Sequence, residues 1–260
     1  MKAVAVLLIL IFSLMAPVAA FSEGQAVDSL DIRNPEYLKA RNPYRFRPTQ
    51  LIIPGIMIGV GVIGLKSDWL EGHNYETRDE LQEHPHGPLK VDDFMQYAPL
   101  AATYGLKLCG VGSLHGYGGM TVIAGTAYLL TGLAVYGIKS LTAVERPDGS
   151  TRNSFPSGHT ATAFAGAELL RREYWHVSPW IGVAGYGVAA CTGFLRMYNN
   201  RHWLTDVIAG AGIGILSAEA AYWLYPLVSR VFPRSMRSHD LCVAPFIGTD
   251  GKGVALAFRF

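Results

Sequence analysis

No charged side chain occurs in residues 118–138, and none in residues 177–195. A helix of about 20 apolar residues is what crosses the ~30 Å hydrocarbon layer of a bilayer. Inside that layer backbone polar groups are satisfied only within helices or closed barrels. The two runs therefore point to a helical membrane protein. Composition agrees, with 50% apolar residues, 16% charged residues and a mean hydropathy of +0.22.

The remaining apolar segments extend this frame. Residues 51–65 form a short apolar run, and residues 203–229 a long one with Asp206 near its start and Glu219 further in. Residues 160–170 read as a shorter helix ending at Arg171, Arg172 and Glu173, while residues 94–109 are interrupted by Gln96, Pro99 and Lys107. Residues 66–93, rich in charge and containing the breaker EHPHGP, read as a loop. The expected fold is all-α, a polytopic membrane bundle of five or six helices over residues 51–237.

The two ends differ from the middle. Lys2, a long apolar run and small residues up to Ala20 have the layout of a secretory signal peptide over residues 1–20; an uncleaved anchor helix is the alternative. A polar segment follows over residues 21–50. At the other end, two short apolar runs flank TDGKG within residues 238–260, which predicts a β-hairpin.

Other function classes are disfavoured. A net charge of +2 without a basic, aromatic-laced face gives no reason to expect nucleic acid. Cys109, Cys191 and Cys242 show no metal-ligand spacing and read as small buried residues. His84 and His86 in EHPHGP fit a solvated loop better than a metal site.

Polar side chains gather at the ends of the apolar segments. One cluster holds Lys139 and Arg146, a second is Pro156-Ser157-Gly158-His159, and a third holds Arg196, His202 and Asp206. Charge beside membrane helices is costly and often functional. Singly, each cluster has a plain structural explanation: snorkelling cations, a helix cap from Ser154 or Ser157 with Pro156 in the first turn, and a hydrogen-bonded His–Asp pair. Together they meet the needs of phosphoryl transfer, which requires cations on the non-bridging oxygens, an in-line nucleophile and an acid for the leaving oxygen. Lys139, Arg146 and Arg196 supply charge, and N–H groups around Ser157 and Gly158 add donors at a helix start. Four-residue spacing would put Asp206 beneath His202 on one helix face, holding one ring nitrogen and freeing the other as nucleophile. His159 can donate a proton to the leaving group and later activate water.

In this order, K-x6-R-P, P-S-G-H and R-x5-H-x3-D between apolar helices resemble the phosphatidic acid phosphatase type 2 superfamily, which includes bacterial acid phosphatases and vanadium haloperoxidases. The resemblance is close from Lys139 to Asp206 and looser over residues 51–229. It implies a phosphohistidine on His202 oriented by Asp206, His159 as general acid, and a phosphate clamped by Lys139, Arg146 and Arg196 with Ser157 and Gly158 completing the cradle. It implies no cofactor and no metal. One position departs: Leu195 stands where the family usually has a serine before the third-motif arginine.

The expected function is hydrolysis of a membrane lipid phosphate monoester or diphosphate, with lipid A, phosphatidylglycerol phosphate and undecaprenyl diphosphate as substrate candidates. A soluble periplasmic acid phosphatase, a vanadium-dependent haloperoxidase and a phosphate-binding protein are the alternatives. The expected location is a bacterial inner membrane, with the site facing the periplasm. Arg171 and Arg172, with Arg230, Arg234 and Arg237, would mark the opposite, cytoplasmic face.

Overall fold

A computed structural model describes residues 42–83, 87 and 89–231, together with the backbone of residues 240–248 and 251–259. The signal-peptide segment, most of the polar segment, His84, His86 and the side chain of Cys242 lie outside the described residues. A 3-10 turn, Pro48–Leu51, leads into α1 (Ile52–Ile63), α2 (Asp68–Leu81), the one-turn α3 (Asp92–Met95), α4 (Ala98–Leu108), α5 (Tyr117–Thr142), α6 (Gly158–Tyr174), α7 (Pro179–Tyr198) and α8 (Leu204–Val228). Beyond them the backbone of β1 (Asp240–Gly248) pairs antiparallel with β2 (Gly251–Arg259), Asp240 opposite Arg259 and Gly248 opposite Gly251.

The apolar runs fold as helices close to their expected bounds, and one region differs. Residues 68–81 are helical rather than loop: Ser67 precedes α2 and accepts from Leu70 N–H at 3.5 Å, while Asp68 and Glu71 sit in the positively polarised first turn and Arg78 in the last. A charged helix without an apolar stripe is easily read as a loop from sequence. Its anchor is Asn74, whose amide donates to Thr205 Oγ1 at 3.0 Å and whose oxygen accepts from Thr205 N–H at 3.1 Å.

The expected five or six membrane helices become two among the described residues by length and apolarity, α5 and α8, or three if the pair bent by 92° between Pro48–Ile63 and α2 counts as one span. At about 1.5 Å per residue, 12-residue α1 and 11-residue α4 are too short to cross alone. The third short candidate, α6, carries Glu168, Arg171, Arg172 and Glu173. Helix α8 is the axis of the bundle, 72% buried over its apolar window, whereas α5 is 28% buried and peripheral.

Two apolar clusters join the helices. Met57, Phe164, Ala167, Tyr186, Ala189, Ala211 and Ile215 link α1, α6, α7 and α8. Ile123, Ala127, Leu169, Ala218, Ala221 and Tyr222 link α5, α6 and α8. The close approach of α8 to the start of α6 depends on Gly210, where an added Cβ would lie 2.5 Å from the Ser157 carbonyl oxygen. This contact fixes the loop that carries the second motif.

Glu219, anomalous within an apolar run, is explained by its partners. Its carboxylate lies 3.4 Å from Arg171 and 3.3 Å from Arg172, and accepts from Gln50 at 2.7 Å. Glu168 is equally buried and pairs with Arg171 at 2.5 Å, with the Tyr186 hydroxyl also donating to it. The cysteine expectation is corrected: Cys109 and Cys191 are exposed on the protein surface.

Candidate active site

The three motifs converge at one end of the bundle. Lys139 lies in the last turn of α5, which stops at Ala143 in a left-handed conformation with φ of 47°. Its ammonium donates to the Ser154 carbonyl at 3.1 Å and to that of Asn153. The following loop closes a turn in which Gly149 N–H donates to the Arg146 carbonyl at 2.9 Å, with Pro147 at the position where its fixed φ fits. Arg146 Nε is buried without a hydrogen-bond partner, and Asp148 pairs with Arg201 at 3.0 Å.

Before α8 the chain places His202, then Trp203 as N-cap, so His202 lies just outside the helix rather than on its face. The contact with Asp206 arises from capping geometry. Asp206, in the first turn, accepts from Trp203 N–H at 2.9 Å and lies 3.5 Å from His202 Nδ1. Ser154 joins them, donating to Asp206 at 2.5 Å with its oxygen 3.4 Å from the same ring nitrogen. All three side chains are buried. Nε2 of His202 makes no hydrogen bond among the described residues.

The second motif is arranged differently from its expected form. Pro156 precedes the N-cap instead of occupying the first turn, and Ser157 at the N-cap makes no side-chain cap. Ser157 Oγ bonds to Thr160 at 2.8 Å, and its N–H donates to the Asp206 carbonyl at 3.0 Å. As an anion donor Ser157 is therefore already engaged, and it ties α6 to α8 instead. Gly158 begins α6, where N–H groups of the first turn lack partners within the helix.

Two carboxylates that the sequence did not single out complete the site. Asp92, on α3, is buried and pairs with Arg196 at 2.7 Å, leaving Arg196 Nε without a partner. Asp93 lies 3.0 Å from His159 Nε2 and 3.8 Å from Arg196. The polar turn before His202 takes a structural part at Asn199, which exchanges hydrogen bonds with the Leu89 backbone at 2.9 and 2.7 Å.

Burial governs the titration of the histidines. The His202 imidazole is pushed down to about 4 by burial, a shift that Asp206 opposes and that Lys139 and Arg196 reinforce. His159 is lowered by burial and by Arg196, with Asp93 acting the other way. Burial, then Arg196 and Arg201, lowers Arg146, with Asp148 and Asp206 acting the other way. The arrangement presents a neutral imidazole with one ring nitrogen held and positive charge around it.

Comparison with known proteins gives the same neighbourhood. The match covers residues 120–230, a stretch that contains all three motifs, and is to the PAP2 superfamily. Among curated relatives, the lipid A 1-phosphatase of Porphyromonas gingivalis is 45% identical over 142 residues, 54% of this chain and 32% of the relative. The bacitracin transport permease protein BcrC of Bacillus licheniformis is 34% identical over 77 residues, 30% of this chain and 36% of the relative. The chain thus matches about a third of the length of these relatives. Two solved structures are also similar: LpxE of Aquifex aeolicus (TM-score 0.42, 21% identity, 56% of this chain and 93% of that one) and a transmembrane PAP2 type phosphatidylglycerolphosphate phosphatase of Bacillus subtilis (TM-score 0.47, 17% identity, 70% and 98%).

Proposed function

We propose that this chain is a membrane phosphatase that hydrolyses a lipid phosphate monoester or diphosphate through a phosphohistidine on His202. The observation that carries this reading is the buried Ser154–Asp206–His202 relay, with its unbonded Nε2, set among Lys139, Arg146 and Arg196. The phosphate sits among the three cations, with N–H groups at the start of α6 as further donors. Nε2 of neutral His202 attacks phosphorus, the bond to the leaving oxygen breaks, and His159 gives that oxygen its proton. Water then loses a proton to His159 and attacks the phosphohistidine, releasing phosphate and restoring both histidines. Asp93, half exposed, is the carboxylate that gives way when phosphate arrives, and the incoming negative charge raises the proton affinity of His159.

Lipid A phosphate is the first substrate candidate, because the relative with 45% identity bears that activity in its name. The test is phosphate release by detergent-purified protein, with chelator present, from lipid A, phosphatidylglycerol phosphate, phosphatidic acid, undecaprenyl diphosphate and a soluble aryl phosphate. Selective release from one lipid supports the reading, and release from the soluble ester alone would replace it with a non-specific acid phosphatase.

The general-acid role has its own test. His159→Ala is expected to slow hydrolysis of an alkyl phosphate by about 10²–10⁴-fold and that of an activated aryl phosphate far less, since a good leaving group needs no proton. Equal losses on both would contradict the assignment.

For orientation we propose a periplasm-facing site in the inner membrane. The basic residues Arg171, Arg172 and Arg230 support it, since positive charge marks the cytoplasmic face and Arg171 and Arg172 stand at the end of α6 opposite the site. A cysteine introduced at Ser150, in a background with the native cysteines replaced by serine, is expected to react with an impermeant reagent once the outer membrane is opened. Reaction only after the inner membrane is permeabilised would reverse the orientation.

A further inference from the structure

A second set of arginines stands at the far end of the bundle. Helix α6 runs 17 residues from the candidate active site, so its last turn, with Arg171 and Arg172, lies about 25 Å away at 1.5 Å per residue. That separation approaches the thickness of the hydrocarbon layer, and no single headgroup reaches both ends. At this far end a recess of about 240 Å³ is lined by Arg45, Arg47, Arg171, Arg172, Trp175 and His176, among others.

The charges of the recess do not balance. Arg171 is held by Glu168 at 2.5 Å and Arg172 by Glu219 at 3.3 Å. Arg45 and Arg47 are exposed and have no ion-pair partner among the described residues. Among the described residues, four guanidinium groups stand against two carboxylates, leaving two positive charges without a partner. Arg172 is fixed further, donating to the Pro43 carbonyl at 2.5 Å and standing 4.3 Å over the Tyr222 ring.

We propose that this recess is a second anion site that binds a phosphate group, separate from the catalytic cations. Arginines that merely set topology need only reside on the cytoplasmic side of the membrane. Here two of them are immobilised on buried glutamates beneath a cavity, so the rotamer freedom that an anion would otherwise have to restrain is already lost. Guanidinium forks match phosphate oxygens geometrically, and a basic recess between helices at a membrane face suits an anionic lipid headgroup. Trp175 adds an amphipathic ring of the kind that settles at that interface.

Lipid retention tests the site without reference to turnover, so failure of the phosphatase reading leaves it standing and the reverse also holds. Detergent-purified protein is mixed with phosphatidylglycerol or phosphatidylcholine and bound lipid is counted by native mass spectrometry. Wild type is expected to retain phosphatidylglycerol preferentially. Arg45→Gln with Arg47→Gln is expected to lower that retention about tenfold, as for loss of one to two charge-assisted contacts. Both positions are on the surface, so the thermal transition stays in place, and contributions of the catalytic site cancel between the two proteins. Arg45→Lys with Arg47→Lys keeps the charge and retains more lipid than the glutamine pair. Inorganic phosphate distinguishes the sources: retention against excess phosphate assigns a lipid headgroup, and displacement by it assigns a free phosphate anion. Wild-type retention by the glutamine pair, or equal retention of the two lipids by wild type, would overturn the site.

Discussion

His202→Ala is expected to lower turnover of every phosphate ester by about 10⁴-fold or more, while the purified protein keeps its thermal transition within a few degrees. The magnitude follows from the role: without the imidazole there is no phosphoenzyme, and cations that remain can bind phosphate but cannot split the reaction into two displacements. Retention of fold follows from the local wiring. Asp206 still accepts from Trp203 N–H and from Ser154, and Ser157 N–H still donates to the Asp206 carbonyl, so the start of α8 and the loop before α6 stay joined. The vacated space is polar-walled and can take water. Lipid binding by the variant is expected to persist, which separates lost chemistry from lost affinity. Turnover above about a hundredth of wild type would remove His202 as nucleophile, since residual catalysis from binding alone falls well below that level.

The pH dependence of the wild type is a further consequence. Burial holds His202 at about 4, so the proposed nucleophile is expected to be neutral throughout the physiological range, with its protonation limiting turnover only near the acidic extreme. A histidine left at its ordinary value near 6.5 would lose half its nucleophile at that pH.

What the sequence made legible and what it did not have different physical origins. The positions of Lys139, His159, Arg196 and His202 could be read because each interrupts or borders an apolar run, where a charge needs a reason. The His202–Asp206 contact was legible in spacing and not in mechanism: the pair meets through the N-cap of α8 instead of along a helix face. Ser154 was considered only as a cap, since nothing local to a loop serine indicates that it closes a relay with a carboxylate 52 positions later. Asp92 and Asp93 were hidden in a similar way. Asp92 meets Arg196 across 104 positions and Asp93 meets His159 across 66, and both sat at the end of a segment read as a charged loop. Helix α2 was missed because capping and dipole complementarity, rather than an apolar stripe, mark it.

Asp206→Asn is expected to reduce turnover by about 10²–10⁴-fold with little loss of stability, and to move the acidic limb of the pH–rate profile to lower pH. The asparagine oxygen can still accept from Trp203 N–H or from Ser154, the two hydrogen bonds that hold the start of α8 in place. What disappears is the negative charge, which stabilises the imidazole as it becomes cationic on phosphorylation and fixes which nitrogen carries the proton. The direction of the pH shift follows from the same charge. Asp206 raises the proton affinity of His202 against the depressing effects of burial, Lys139 and Arg196; without it His202 falls further below 4, and protonation begins at lower pH. A limb that moved upward, or a turnover within threefold of wild type, would mean that Asp206 serves α8 as a cap and contributes nothing to the nucleophile. Loss of turnover together with a downward limb would tie the carboxylate to the ionisation of His202, which a purely structural role in capping α8 would leave unchanged.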